Sequence, residues 1–186
     1  MKEHIDIKLV SKRDIQQREK IFRLRYYIFS QVYKHHSPPG MNHGLQLFSN
    51  QIDDISYLFL ASINDNPVGT LRVTPFSCLE STDNFILKDH KVPAHYLTDN
   101  CALFSFFCIL PEYHHTSVSY CLLQTVLTHA RDKNIQRIFI EAHEEMVPYY
   151  QHYQFSPCSD WIKPEGYEQP VIAMTIQVQS LINLEG

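Results

Sequence analysis

The chain has 186 residues, of which 44% are apolar and 19% charged, and its net charge is −4. We expect one domain over residues 1–186, because domains hold about 100–200 residues and a chain of this size can bury its own core. The acidic balance, without a run of basic residues, argues against a nucleic-acid binder, and no apolar stretch reaches the roughly 18 residues of a membrane span.

The N-terminal part predicts a strand followed by a helix. Residues 5–9 alternate between apolar and polar, which is typical of a strand. Apolar residues at helical spacing follow over 21–32, and Ser11, with an acidic residue three positions later, is the predicted N-cap. The sequence Pro38-Pro39-Gly40 predicts the end of this helix, and residues 37–52 are predicted to form a loop.

The next segment predicts a hairpin. Residues 57–63 form an apolar run, 64–67 carry turn residues and 68–74 alternate, which indicates two strands joined by a tight turn. Residues 75–100 show no regular pattern. A loop of this length in a compact domain usually carries function or contains a short element.

The C-terminal part predicts three strands and two helices. The strands are expected at 102–109, 135–141 and 171–178, a helix from Val118 to Asn134 and a short helix over 144–152. The resulting order β-α-β-β-β-α-β-α-β predicts an α/β fold, in which helices cover a mixed sheet.

The loop Pro111–Ser119 joins a predicted buried strand to a predicted helix. The first backbone N–H groups of a helix have no partner within it, and the helix dipole adds partial positive charge there. Such a helix start suits a pyrophosphate or phosphodiester.

This unit resembles the GNAT acyltransferase superfamily, whose pattern is a strand, Pro-Glu-Tyr, an Arg/Gln-x-x-Gly-x-Gly/Ala turn and a helix. Here Pro111-Glu112-Tyr113 precedes the turn, and His114 takes its basic position. Family glycines are replaced by His115, Ser117 and Ser119.

A second segment, Tyr149-Tyr150-Gln-His-Tyr-Gln154-Phe155, is similar to the Phe-Tyr … Gly-Phe segment of the superfamily. Tyr150 falls on the position of the family's acid tyrosine. His143 falls where many members carry an asparagine. The element order also fits from Ile5 to Val178, so the resemblance covers nearly the whole chain.

A narrower resemblance is to the acyl-homoserine-lactone synthases and the N-acyl amino acid synthases. Arg25-Tyr-Tyr-Ile-Phe29, Asp53-Asp54 and Gly69-Thr-Leu-Arg72-Val-Thr-Pro75 are similar to segments of those branches. The Glu-x-x-Arg that the lactone synthases carry on the central strand is missing, since Leu103 and Phe106 stand at those positions.

The resemblance implies a mixed twisted sheet with helices on both faces and a V-shaped split between the strands at 102–109 and 135–141. The donor's pantetheine would lie in this V. It implies an N-acyltransferase that moves an acyl group from an acyl-CoA or acyl-carrier-protein thioester to the amine of a small acceptor, an amino acid among the candidates. Altered glycine loops occur in the acyl-carrier-protein users of the superfamily, so either donor is expected.

The resemblance also implies site residues. The backbone near Ile109 would donate to the oxyanion, and Tyr150 would protonate the departing thiolate. The phosphates of the donor would bind the loop residues His114, His115, Thr116, Ser117, Val118 and Ser119.

Two residues near the predicted cleft could accept the amine proton. Glu141 ends a strand and could act directly or through water, or be a solvated carboxylate or helix-dipole partner. His143 is the other candidate base, because imidazole can accept a proton near neutral pH. The alternative for His143 is a hydrogen-bonded structural histidine.

Two arginines on apolar elements are candidates for substrate binding. Arg72 could hold a substrate carboxylate in a bidentate fork, or be a surface charge. Arg25 could contact substrate or form a buried ion pair with Asp53 or Asp54, and Phe29 is expected beside it.

Alternation places Phe104 and Phe106 on one face of their strand and Phe107 on the other. These rings are predicted to be core residues, although the walls of an acyl-chain channel would need the same apolar surface.

The five cysteines, without a CxxC pair, and the polar N-terminus, without an apolar signal segment, predict a cytoplasmic protein. Cys108 could act as a nucleophile but has no evident base, so a buried filler is expected. The pairs His35-His36 and His114-His115 lack metal-site spacing, and no metal is expected.

Two other functions stay open. A non-catalytic GNAT-like module would keep the fold and bind an acyl ligand or a protein. A protein-amine acetyltransferase would accept peptides rather than small molecules.

Overall fold

The computed structural model describes residues 4–34, 38–79, 86–98, 100–164 and 169–179 of the chain. The chain divides into two compact units. The first consists of Met1–Val73 and Phe106–His129, and the second of Thr74–Ser105 and Ala130–Gly186.

The principal elements follow the predicted order. The strands are β1 (Ile5–Val10), β2 (Met41–Asn42), β3 (Leu47–Phe48), β4 (Tyr57–Ile63), β5 (Asn66–Pro75), β6 (Cys101–Ile109), β7 (Arg137–His143), β8 (Ser156–Pro157) and β9 (Val171–Gln177). The α-helices are α1 (Ile15–Tyr27), α2 (Val118–Asp132) and α3 (Val147–His152). The predicted α/β architecture, a mixed sheet with helices, is confirmed.

The strands of the first unit are arranged around a tight hairpin. β4 pairs antiparallel with both β1 and β5. The turn between β4 and β5 has positive φ at Asn64 (50°) and Asp65 (63°), a conformation that Asn and Asp tolerate and hairpin turns require. The C-terminal end of β6 also reaches β5, because the Leu110 N–H donates to the Val68 carbonyl at 2.9 Å.

Helix α1 begins and ends differently from the prediction. Its N-cap is Asp14, whose carboxylate accepts the Gln17 N–H at 3.0 Å, and not Ser11. The α-helix stops at Tyr27 and continues as a π-helical turn over Ile28–Val32 rather than as a regular helix towards Pro38. A π-turn shifts the side chains that follow it around the helix axis.

The predicted loop 37–52 contains short regular structure. β2 and β3 pair with each other, and a 3-10 helix follows over Gln51–Asp54. Asn50 caps this helix, and Asp53 reciprocates by accepting the Asn50 N–H at 2.9 Å. This capping box fixes the position of Asp53.

The second unit is built on β7. Cys101–Leu103 of β6 pair with β7 in parallel, and β9 pairs antiparallel along the whole of β7. β8 pairs with β9. Within the described residues the β6–β7 ladder stops at the pair Leu103–Phe139, so the remaining residues of β7, 140–143, have no β6 partner.

The long irregular segment 75–100 contains three 3-10 turns in its described part, over Phe76–Cys78, Ile86–Asp89 and Ala94–Tyr96. Its side chains help to form the core of the second unit. That core comprises Leu87, Cys101, Leu103, Phe139 and Ala173, with Phe76, Val92, Tyr96 and Cys158 packed against it.

β6 contains an irregularity that the sequence pattern did not predict. Phe106 has a φ of 51°, in the left-handed region that a bulky residue rarely adopts. Simple alternation of the three phenylalanines is therefore wrong. Phe104 is 1% exposed, whereas Phe106 and Phe107 are only half-buried.

Candidate active site

A buried ion cluster lies in the first unit. Arg25 Nη1 donates to Asp53 Oδ1 at 2.8 Å, and Arg72 Nη1 donates to the same oxygen at 3.2 Å and to Asn50 Oδ1 at 2.8 Å. The side chains of Arg25, Asp53 and Arg72 are 0%, 1% and 3% exposed. The predicted alternative of a buried Arg25–Asp53 pair is confirmed, and the alternative that Arg72 is a surface charge is wrong.

Aromatic rings cover this cluster. The Phe106 ring lies over both guanidinium groups, 4.2 Å from Arg25 Cζ and 4.6 Å from Arg72 Cζ. Phe29 and Phe48 pack edge-on against it, with ring centroids at 5.7 and 4.9 Å. An arginine at position 106, as in the Glu-x-x-Arg pattern, would add a third cation here, whereas a ring face attracts the two already present.

The cluster carries more positive charge than negative charge. Burial raises the pKa of Asp53, but the charges of Arg25 and Arg72 and the hydrogen bonds to the carboxylate outweigh it, so the pKa lies below its usual range. Burial lowers the pKa of Arg72 to about 10, so it is charged at neutral pH. Two guanidinium groups therefore share one carboxylate.

Arg25 has spare donor capacity. Its Nε and Nη2 atoms are buried and have no hydrogen-bond partner in the described part of the chain. A buried donor left without a partner costs about 1–3 kcal/mol, and more for a charged group. These two nitrogens lie on one side of the guanidinium group and are therefore available as a pair of donors.

Cys108 lies against the apolar side of the cluster, packed with Leu24 and Ile28. Burial raises the pKa of the Cys108 thiol to about 12. The thiol is therefore protonated at neutral pH, which agrees with a buried filler and not with a nucleophile.

The loop before α2 is closed by its own side chains. His114 Nε2 lies 2.9 Å from the Ile109 carbonyl, so the predicted basic position contacts the backbone of the predicted oxyanion residue. Thr116 Oγ1 donates to the Tyr113 carbonyl at 2.8 Å and accepts the Val118 N–H at 3.3 Å. The Val118 N–H, which is one of the groups predicted to donate a hydrogen bond to a phosphate, is therefore already engaged in this long hydrogen bond.

The replaced glycines create no backbone strain in this loop. None of the residues 114–119, all of which the structure describes, has a positive φ. Serine and histidine can therefore adopt this conformation freely. Val118 and Ser119 are buried, whereas His114, His115, Thr116 and Ser117 are exposed.

In the second unit, Glu141 and His143 project from the same face of β7, because alternate residues of a strand share a face. The Glu141 side chain is 10% exposed, and its Oε1 atom lies 2.8 Å from His90 Nε2. The alternative of a solvated carboxylate is therefore wrong. His143 Nδ1 is buried without a hydrogen-bond partner among the described residues, so this atom is available for a hydrogen bond with a ligand.

Tyr150 is a buried residue of α3, 7% exposed, with its ring packed against Tyr149 and Phe155 at 5.4 and 5.8 Å. The Phe155 N–H donates to the Tyr150 carbonyl at 3.1 Å. Gln154 has a φ of 67°, the left-handed conformation that favours the glycine of the family segment.

The structure brings several predicted residues together within the first unit. The ion cluster contains Arg25 and Arg72, and Phe29 packs against the Phe106 ring that covers it. His114 contacts Ile109. Sequence reasoning missed Asn50 and His90. Asn50 could have been found, because the spacing Asn-x-x-Asp indicates a capping box. His90 lies in a segment without any pattern.

No group of three or more potential metal ligands among His, Cys, Asp and Glu is present in residues 4–34, 38–79, 86–98, 100–164 and 169–179. His35 and His36 lie outside these residues. No helix in the same part of the chain is long and apolar enough to cross a membrane.

The family model of N-acyl amino acid synthase FeeM matches residues 20–177 of the chain. The chain belongs to this family. As a member of the FeeM family it is an N-acyltransferase, which transfers an acyl group to an amine, and the predicted enzyme class is confirmed. No curated protein matches the sequence at a significant level.

Solved structures share the fold of this FeeM-family protein. The CoA-dependent acyl-homoserine lactone synthase BjaI, solved with SAM and isopentyl-CoA, superposes with a TM-score of 0.74 at 16% identity, covering 96% of this chain and 86% of BjaI. The acyl-homoserine lactone synthase LasI gives 0.67 at 12% identity, with 95% and 91% coverage. A proposed GNAT-family acetyltransferase from Desulfovibrio desulfuricans gives 0.61 at 14% identity, with 94% and 99% coverage.

Proposed function

We propose that this FeeM-family acyltransferase joins an acyl group from a thioester to the amine of a small acceptor that bears a carboxylate, an amino acid being the simplest. The observation that carries the proposal is the pair of buried, unpartnered nitrogens of Arg25 in a cluster with two guanidinium groups and one carboxylate. An acceptor carboxylate would balance the charge and fill the fork.

Access to Arg25 involves the rings that cover it. Arg25 is fully buried, whereas Phe29 and Phe106 are half-buried and lie edge to face. The carboxylate reaches the fork by displacing one of these rings. Phe29 and Arg72 would therefore contribute to acceptor binding as a cover and as a second cation.

The chemistry requires two proton transfers. The amine nitrogen attacks the thioester carbonyl, the C–N bond forms, and the tetrahedral oxyanion collapses with loss of the C–S bond. Glu141 accepts the amine proton in this scheme, with His143 Nδ1 as the neighbouring acceptor, and Tyr150 gives a proton to the thiolate. The backbone at Ile109 would donate to the oxyanion.

The donor is proposed to be coenzyme A or a carrier-bound phosphopantetheine. The start of α2 at Val118 supports an anion site, because the first N–H groups of a helix lack partners within it and lie at the positive end of its dipole. The hydrogen bond from Val118 N–H to Thr116 would have to open for a phosphate to use that donor. The five cysteines are all free, which supports a reducing compartment and a cytoplasmic protein.

The acceptor carboxylate is tested by comparing amino acids with their carboxamides in an acyl-transfer assay. A hydrogen bond to a charged group contributes about 1.5–3 kcal/mol, so kcat/KM is expected to fall roughly 10- to 150-fold for the amide. Arg25→Lys should shrink this discrimination. Arg18→Lys is the matched control, because Arg18 lies on the same helix and pairs with Asp54 instead. Equal use of acid and amide would refute the carboxylate-bearing acceptor.

The proposed acid is tested by Tyr150→Phe, which removes only the hydroxyl group. Loss of a general acid lowers turnover by about 10²- to 10⁴-fold, and we expect kcat to fall within this range while the melting temperature changes little. Tyr153→Phe is the control, since Tyr153 adjoins the same helix and is also 7% exposed. Full turnover of Tyr150→Phe would remove Tyr150 from the mechanism.

A further inference from the structure

His90 connects the proposed base to a second polar side chain. Its imidazole is 0% exposed, with Nε2 at 2.8 Å from Glu141 Oε1 and Nδ1 at 2.9 Å from Ser159 Oγ. These contacts bring together a strand, an irregular segment and the stretch after β8, all within the second unit.

The Ser159 hydroxyl can serve either tautomer of His90. It accepts the Ala173 N–H at 3.0 Å, and it lies 2.9 Å from the Asp160 carbonyl, to which it can donate. When Nδ1 is unprotonated, the hydroxyl proton can point to it. When Nδ1 carries a proton, the hydroxyl can turn to Asp160 and accept from the imidazole.

The backbone holds His90 in place. Its N–H donates to the Leu87 carbonyl at 3.1 Å, and its carbonyl accepts the Val92 N–H at 2.9 Å. Leu87 and Val92 belong to the apolar core that also contains Phe139, two residues before Glu141 on the same face of β7. The imidazole and the carboxylate are therefore packed on one rigid core.

We infer that His90 is a positioning residue for Glu141 in acyl transfer, with Ser159 orienting the imidazole. This inference rests on the proposed function, in which Glu141 takes the amine proton. The proton that leaves nitrogen as the C–N bond forms goes to Glu141, which His90 Nε2 holds at 2.8 Å, and then to solvent. Tyr150 supplies a separate proton to the thiolate and regains one from solvent, so the products are an amide and a thiol.

Two amide variants of His90 separate positioning from simple packing. Glutamine places its amide nitrogen near the Nε2 position and can still donate to Glu141, whereas asparagine reaches only the Nδ1 position. We expect His90→Asn to lower kcat about 10- to 100-fold with little change in the donor KM, a smaller loss than the roughly 10²- to 10⁴-fold of a missing general base, because Glu141 itself is still present. We expect His90→Gln to retain kcat within about fivefold. His95→Gln, at an exposed histidine of the same segment, is the matched control.

A double-mutant cycle then tests whether His90 acts through Glu141. Glu141→Gln alone is expected to lower kcat by about 10²-fold or more, and adding His90→Asn should lower it no further, because the base is already gone. Additive losses, or equal activity of His90→Asn and His90→Gln, would overturn the positioning of Glu141 by His90. Full activity of Glu141→Gln would overturn the proposed base and this inference together.

The experiments on the acceptor carboxylate and on Tyr150 do not involve His90. They can therefore support the proposed acyl transfer even if the His90 variants show that His90 does not position Glu141. If His90→Asn does not fold, Ser159→Ala replaces it in the cycle. The Ser159→Ala substitution removes the partner of His90 Nδ1. We expect it to lower kcat about 3- to 10-fold when residue 141 is glutamate, and to cause no further loss in the Glu141→Gln variant. Equal losses in both backgrounds count against the inference.

Discussion

Asp53 accepts hydrogen bonds from Arg25, from Arg72 and from the backbone of Asn50 while its side chain is 1% exposed. A buried charge is tolerated only when it is paired and hydrogen-bonded. Removing the carboxylate would take from two buried guanidinium groups the acidic oxygen that both contact. Asp53 is therefore expected to be important for folding as well as for shaping the arginine fork.

Asp53→Asn is expected to destabilise the protein by about 3–5 kcal/mol, the range seen when one partner of a buried ion pair is removed. Asp54→Asn is the matched control. Asp54 is the neighbouring acid, its side chain is 78% exposed, and a pair of this kind with Arg18 contributes at most about 1 kcal/mol. Urea denaturation of both variants at neutral pH measures the difference, and equal losses would contradict the importance of the buried cluster.

The same carboxylate predicts a pH dependence of stability. Its folded pKa lies below its usual range, so it contributes stability above the unfolded value of about 3.9, and that contribution is lost as pH falls from there through the folded pKa. The loss of stability between about pH 5 and pH 2 should be smaller in Asp53→Asn than in the wild type. The comparison uses denaturation midpoints across this range.

The pairing of Arg25 could be predicted because two neighbouring acids, Asp53 and Asp54, precede an apolar strand, and a buried cation needs such a partner. The backbone of Phe106 could not be predicted. Nothing in a run of phenylalanines indicates that one of them adopts a φ of 51°. This conformation costs about 1–3 kcal/mol and persists only where surrounding contacts maintain it, here through the two arginines beneath the ring.

The start of helix α2 raises the question of which thioester the protein uses. The loop before it has no glycine, yet its backbone stays out of the left-handed region. A phosphate of either donor can bind the Val118 N–H only after this group exchanges Thr116 for it. Binding measurements on acetyl-CoA, long-chain acyl-CoA and acyl-carrier protein address this directly.

We expect at least one of these donors to raise the melting temperature. A ligand at 100 times its Kd adds about 2.7 kcal/mol, or roughly 5–10 °C for a chain of this size. Ser117→Asp should abolish the shift, because its charge repels phosphate while favouring the helix start. Ser117→Ala should keep it. A shift that survives Ser117→Asp would exclude this loop as the phosphate site.

The regular elements were predictable to different degrees. The Asn64–Asp65 hairpin, α2 with Asn134 at φ 57° after its end, and β9 followed from turn residues and periodicity. The π-turn at Ile28–Val32 did not, because its apolar spacing resembles that of an α-helix. The hairpin of β2 and β3 has strands of only two residues, too short for any alternation to show.

Across the whole chain, the family could be predicted from short segments such as Arg25–Phe29, and the match over residues 20–177 confirms it. Much of the candidate site could not be predicted. The interaction of His90 with Glu141 joins residues far apart in sequence, and the stretch around His90 has neither periodicity nor turn pattern. Such a contact depends on tertiary packing, which local patterns do not encode.

The first unit is made from two pieces of the chain, Met1–Val73 and Phe106–His129, with part of the second unit inserted between them. During synthesis on the ribosome, the arginine cluster acquires its anion from the first piece, but the Phe106 ring emerges only after the intervening segment. A nascent chain that pauses before Phe106 has a charged cluster without its cover, and Phe59 of β4 still lacks its contact with His129 of α2. Chaperones recognise exposed apolar surface of this kind, so the stage of biogenesis most exposed to aggregation falls before the end of β6 is made.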